Sequence, residues 1–148
     1  MNFTKIWIHL IISTKNRKHF ILPSFEKVIY KIILERFHDM KIHVEEINGT
    51  EDHVHLLFLL NPSYSMAEVV KNVKGTTTYL INRDEITPDR FSWSKGYAAF
   101  AVSESEMPKV KRYIRNQKLH HQKLSTTEEY TRFLKVHGLE EFVPHNRK

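Results

Sequence analysis

Hydrophobic residues along the chain recur at two alternating periods, and the places where the period changes divide it into elements. From Phe3 to Ser13 apolar and other positions alternate every second residue, and the segment is rich in isoleucine, as a strand requires. Pro23-Ser24 opens a stretch with Phe25, Val28, Ile29, Ile32, Ile33 and Phe37 at helical spacing. Ile42 to Ile47 predicts a second strand closed by a turn beginning at Asn48-Gly49, and His53 to Leu60 a third that Asn61-Pro62 ends. Ser65-Met-Ala-Glu68 has the form of a capping box, followed by a helical stripe of Met66, Val69, Val70 and Val73. Gly75 inside that helix costs about 1 kcal/mol relative to Ala, and close backbone packing is the expected reason for it. After a polar loop over 82–95, Gly96 to Val102 predicts a fourth strand. Ser103 or Ser105 then caps a third long helix with Pro108 in its first turn, and a short helix at about 126–137 stops at Gly138.

Strand, helix, strand, strand, helix, strand is the order of the ferredoxin-like split βαβ, an α+β fold. Such a fold carries a four-stranded antiparallel sheet with two helices on one face, as in RRM domains. One domain over 1–148 is expected, with a core over 1–103 and the third helix and tail over 104–148. Alternation in the third strand sets Val54, Leu56, Phe58 and Leu60 against His53, His55, Leu57 and Leu59. In the first strand it sets Ile6, Ile8, Leu10 and Ile12 against Lys5, Trp7, His9 and Ile11. The aliphatic sets belong under the helices, which places His53 and His55 on the open face.

Charge adds a partner class. Lys and Arg number 23 against 17 Asp and Glu, a net charge of +6 that suits a phosphate-rich ligand. Six cations and no acid lie between Met107 and Lys123, a smaller cluster is Lys15, Arg17 and Lys18, and acidic pairs such as Glu45-Glu46 and Glu128-Glu129 lie elsewhere in the sequence. A basic face is therefore expected. The absence of cysteine excludes disulfides, thiolate metal sites and thiol nucleophiles. The N-terminal stretch lacks a signal-peptide layout, and no apolar run approaches the roughly 20 residues that span a bilayer. A cytoplasmic protein without membrane contact is the expectation.

Two imidazoles at i and i+2 on a strand can converge on one divalent ion, although His-x-His alone is a weak signal in a chain with ten histidines. The third helix supplies a partner. Tyr113 and Gln117 lie one turn apart on one face, with His120 extending the stripe, while Val110 and Ile114 take the apolar positions. A free phenol has a pKa near 10, so a tyrosine nucleophile needs a cationic setting or a base, and a polarised target. A divalent ion with open positions can polarise a phosphodiester.

These residues together resemble the HUH single-tyrosine transposases of bacterial insertion sequences and their REP-associated relatives. The resemblance rests on Ser13-Thr14-Lys15-Asn16-Arg17, Asp52-His53-Val54-His55-Leu56-Leu57, Lys74-Gly75, Trp93-Ser94-Lys95-Gly96-Tyr97, and Tyr113-Ile114-Arg115-Asn116-Gln117 followed by His120-His121. Glu128-Glu129-Tyr130 and His137-Gly138 extend it into the tail, and Thr76-Thr77-Thr78 departs from it in a minor way. The resemblance implies a homodimer that binds single-stranded DNA, commonly as hairpins at element ends, and uses Mg²⁺ or Mn²⁺. It implies Tyr113 as nucleophile, forming a 5′-phosphotyrosine intermediate, with His53, His55 and Gln117 as metal ligands. His120 competes with Gln117 as the third ligand. Arg17, Lys18, Lys74, Arg112, Lys118 and His120 are the candidates for nucleic-acid contact. Three other readings stand beside it: a domesticated relative that nicks hairpin repeats, a non-catalytic single-strand-binding module, and a metal hydrolase using activated water.

Overall fold

A computed structural model describes residues 1–119 together with Glu128, Thr131, Arg132 and Leu134. The chain forms two compact units, Met1–Arg115 and Asn116–Lys148. In the first, the elements run β1 (Trp7–Ser13), α1 (Pro23–Asp39), β2 (Val44–Gly49), β3 (His53–Leu59), α2 (Met66–Arg83), β4 (Ala98–Val102) and α3 (Met107–Arg115). The sheet has the order β2-β3-β1-β4, and every neighbouring pair is antiparallel. This is the ferredoxin-like topology that the element order predicts.

β1 begins at Trp7 rather than Phe3, because its ladder to both neighbours starts there, Trp7 opposite Leu59 and Val102. Met1 and Phe3 are exposed. β2 begins two residues later than expected, at Val44, and is irregular between Val44 and Glu46; Ile42 turns into the core instead. β4 likewise starts at Ala98.

The main core lies between the sheet and the two long helices. Ile8, Leu10 and Ile12 of β1 and Val54, Leu56 and Phe58 of β3 meet Ile29, Ile33 and Phe37 of α1 and Val69, Val70 and Val73 of α2. Each such side chain, fully withdrawn from water, contributes about 1.5–3 kcal/mol. Pro23 at the first turn of α1 gives up an N–H that would have no helical partner. The capping box of α2 is complete: the Glu68 N–H donates to the Ser65 hydroxyl and the Ser65 N–H to the Glu68 carboxylate.

The opposite face of the sheet carries α3. Ile114, fully buried, packs with Trp7, Leu57 and Val102, and Met107 and Val110 close the cluster from the sides. Ser103 is the residue that starts this helix, accepting the Glu106 N–H on its side chain and the Met107 N–H on its carbonyl. The short helix expected at 126–137 lies largely outside the described residues; the four that are described are helical. Among the described residues no helix is long and apolar enough to cross a membrane.

Candidate active site

The β2–β3 hairpin is built around a backbone contact that only glycine permits. A Cβ on Gly49 would fall 2.1 Å from the His53 carbonyl oxygen, so the strands close tightly and Thr50-Glu51-Asp52 forms the turn. The turn is tied to the chain after β1: the Thr14 N–H donates to the Asp52 carbonyl and the Ile21 N–H to that of Glu51. The Asp52 side chain is thereby held beside His53. Its Oδ1 lies 2.6 Å from His53 Nδ1 and accepts from the Thr50 hydroxyl at 3.1 Å.

Arg17 approaches the same carboxylate from the far side, Nε to Oδ2 at 3.5 Å, while its guanidinium donates to the Ser13 hydroxyl. To bring it there, Asn16 and Arg17 both take left-handed backbone, at φ 57° and 56°. For arginine that conformation costs roughly 1 kcal/mol. Burial alone would raise the Asp52 pKa, but the hydrogen bond from His53, the charge of Arg17 and the Thr50 hydroxyl outweigh it and hold the group at about 2. Asp52 is thus a buried, ionised carboxylate that orients one imidazole.

His55 follows two residues later on the same face. Its Nδ1 lies 2.8 Å from Nε2 of His9 on the neighbouring strand, and both rings are buried. The register explains the contact: Ile11 faces His55 and His9 faces Leu57, so His9 is the diagonal same-face neighbour of His55. The His53 and His55 ring centroids are 5.1 Å apart. Tyr113 of α3 completes the group, its ring centroid 5.9 Å from that of His55 and 6.4 Å from that of His9. Ile114, next in the chain, points into the apolar cluster and fixes the helix rotation that turns Tyr113 toward the histidines.

The first unit therefore brings together His53, His55 and Tyr113. Gln117 lies in the second unit, where it is buried, and His120 lies outside the described residues. Arg112 and Lys118 are exposed. Lys18 pairs with Asp89 at 3.0 Å, and Arg17 is engaged with Asp52. Lys74 donates to the carbonyls of Ser94 and Gly96, and burial lowers its pKa. The basic stripe of α3 is less isolated from acid than the sequence suggested. Lys111 bonds Glu45 at 2.6 Å and Arg115 bonds Glu46 at 3.3 Å, because α3 crosses β2 on the open face. The hydrogen bonds from Lys111 and His43 lower the Glu45 pKa.

The donor chemistry suits a divalent ion. Nδ1 of His53 is engaged by a carboxylate and Nδ1 of His55 by an imidazole, so Nε2 is the nitrogen each ring would offer. Among the described residues no group of three or more His, Cys, Asp or Glu side chains is placed to hold a metal. An amide oxygen has suitable chemistry. Sequence reasoning missed the roles of Asp52, Thr50 and His9. The signal for His9 was present in its placement on the same alternating face as Trp7 and Ile11, and that for Asp52 in its adjacency to His53.

A protein-family model described as "Transposase IS200 like" matches residues 2–117. Among solved structures, a transposase candidate from Deinococcus radiodurans R1 superposes with a TM-score of 0.62 at 23% identity, covering 78% of this chain and 93% of its own. A REP-associated tyrosine transposase bound to a REP hairpin superposes with a TM-score of 0.63 at 13% identity, covering 82% of this chain and 72% of its own. Among curated proteins, none matches the sequence significantly. The two solved structures share the fold, and the family match spans β1 through α3 with every residue of the histidine–tyrosine cluster inside it; the chain belongs to the IS200-like transposase family.

Proposed function

We propose that this protein cleaves and rejoins single-stranded DNA, with Tyr113 as the nucleophile. The observation that carries the reading is the placement of Tyr113 against His55 and His9 on the open sheet face, at the edge of the apolar cluster that Ile114 fills. In the forward step the Tyr113 oxygen bonds to phosphorus and the bond from phosphorus to the 3′-oxygen breaks. The proton lost by the phenol balances the one taken up by the departing oxygen. The product is a 5′-phosphotyrosine ester and a free 3′-hydroxyl. A 3′-hydroxyl attacking that ester reverses the exchange without ATP, since the number of phosphodiester bonds is conserved.

His53 and His55 are proposed to hold Mg²⁺ or Mn²⁺, which when bound would polarise the scissile phosphate. Gln117 is proposed as a third ligand from the sequence resemblance. Asp52 and His9 act behind the two histidines and fix ring orientation, and the Asp52 carboxylate also fixes the tautomer of His53. The REP hairpin in the related structure supports hairpin-forming single-stranded DNA as the substrate class. Coverage of the open face by α3 speaks against a bare RRM-like binding sheet.

The test is a covalent trapping assay. Labelled single-stranded hairpin DNA from the ends of the element is incubated with protein and Mn²⁺, then resolved under denaturing conditions. The wild type should give a protein–DNA band that Tyr113→Phe lacks. An identical pattern for both proteins sinks the nucleophile assignment. A product cut without any adduct would indicate hydrolysis by water instead.

A further inference from the structure

A second basic feature lies away from the histidine–tyrosine cluster. An open groove of about 730 Å³ runs between α2 and the 90–97 loop. Lys74, Arg83, Arg90 and Lys95 line it, and no described carboxylate does. Lys74 is spent structurally, since its ammonium clamps the loop to the helix through two carbonyls. Arg83 is paired with Asp84. Arg90 and Lys95 are exposed and have no acidic partner among the described residues.

The walls are stiff. The Asn82 side chain bonds both the N–H and the carbonyl of Phe91, and the Trp93 indole N–H donates to Thr77. On this fixed frame Tyr79 stands 64% exposed, with the Arg83 guanidinium 5.8 Å from its ring centroid. A large aromatic ring so exposed in a groove that Arg90 and Lys95 also line is a stacking platform along a phosphate track. Gly75 belongs to the same surface. Close packing was expected at this glycine, yet a Cβ there would meet nothing within 4 Å, so it keeps the groove open rather than admitting a neighbouring backbone.

The groove is also wired to the candidate active site. Its loop wall extends the sheet beyond β1: the Lys15 N–H donates to Ser92, the Ser94 N–H to Ser13, and Thr14 bridges Trp93. Ser13 in turn faces His53 across the β1–β3 ladder. The wall therefore begins one strand away from the histidines, on the opposite side of β1 from β3.

We propose that this groove binds the single-stranded DNA flanking the reacting phosphodiester, with Arg90 and Lys95 on phosphates and Tyr79 stacking on an unpaired base. The inference rests on the single-stranded-DNA reading above. It is tested on the full chain, without metal, by fluorescence anisotropy with labelled oligothymidylate and a duplex of equal length over a range of salt. Tyr79→Ala should weaken single-strand binding about tenfold or more and leave the salt dependence unchanged. Arg90→Ala with Lys95→Ala should weaken it and lower the salt slope by about 1.4, the value for two phosphates on single-stranded DNA. Thermal melting of each variant verifies folding, since all three side chains are exposed. Unchanged affinity in folded variants overturns the proposal, and so does an equal loss on the duplex, which would mark a general phosphate surface. If groove variants bind normally while wild type still forms the Tyr113 adduct, only the groove assignment fails. If the adduct is absent while the groove variants lose binding, only the catalytic reading fails.

Discussion

Replacing Asp52 with Asn removes one charge from a buried contact and leaves its shape. The carboxylate lies between Arg17 and His53, and its pKa of about 2 is below the ordinary 3.8. As pH falls, the unfolded chain takes up this proton first, so the folded state loses stability as the pH drops through the interval between the two values. The contribution is complete above about pH 5. The loss amounts to roughly 1 kcal/mol by pH 3 and roughly 2 kcal/mol by pH 2. Urea unfolding of wild type and Asp52→Asn at a series of pH values between 6 and 2 measures it. The difference in unfolding free energy between the two proteins should shrink by that amount as the pH falls.

A second readout separates this role from general stability. His53 presents Nε2 outward only while Nδ1–H is held from behind, and loss of such a partner typically costs 10–100-fold in metal affinity. Calorimetric titration with Mn²⁺ at pH 7.5 should therefore show a Kd raised about 10- to 100-fold in Asp52→Asn, at a temperature where the variant is fully folded. Parallel stability curves for the two proteins together with equal Mn²⁺ affinity would refute the Arg17–Asp52–His53 arrangement.

Other substitutions test neighbouring contacts. His9→Ala should lower Mn²⁺ affinity about 10- to 100-fold through His55, as read by the same titration, and His9→Gln, which keeps an acceptor, should recover part of it. Gly49→Ala puts a methyl against the His53 carbonyl, and urea unfolding should show a loss of about 1–3 kcal/mol. Gly75→Ala meets no neighbour and gains helix propensity, so it should stabilise by about 0.5–1 kcal/mol in the same assay. Ser65→Ala removes the acceptor for the Glu68 N–H and should cost about 1 kcal/mol.

Much of this protein was legible in its sequence because two periods dominate it. The alternation in β1 and β3 assigned the aliphatic sets to the helix side and both histidines of β3 to the other face. The buried cluster agrees except at Ile6, which precedes β1 and is exposed, and Leu60, which is only partly buried. The capping box was readable because it is local, four residues bonding within themselves. Contacts that depend on register were not readable. His9 lies on the expected face, but its meeting with His55 rather than another residue follows from Ile11 pairing with His55, which no local pattern encodes. Gly75 misled for a related reason. A glycine in a helix marks either a close approach or an open surface, and only the tertiary neighbours decide between them.

The pairing of α3 with β2 changes how the basic helix should be understood. Counted in sequence, its cations form one uninterrupted run. Glu45 and Glu46 lie on a strand that the helix crosses, and they take up Lys111 and Arg115. Those two cations therefore hold the helix to the sheet, and with it the rotation that points Ile114 inward and Tyr113 toward the histidines. Arg112 lies on the exposed side of this turn and has no part in that attachment. Charge reversal at Glu45, as in Glu45→Lys, should then act on Tyr113 through the position of its helix. The expected result is a several-fold slower adduct formation with oligonucleotide affinity unchanged or raised. Slower adduct formation that simply tracked weaker DNA binding would show that the acidic pair serves substrate binding rather than the placement of α3.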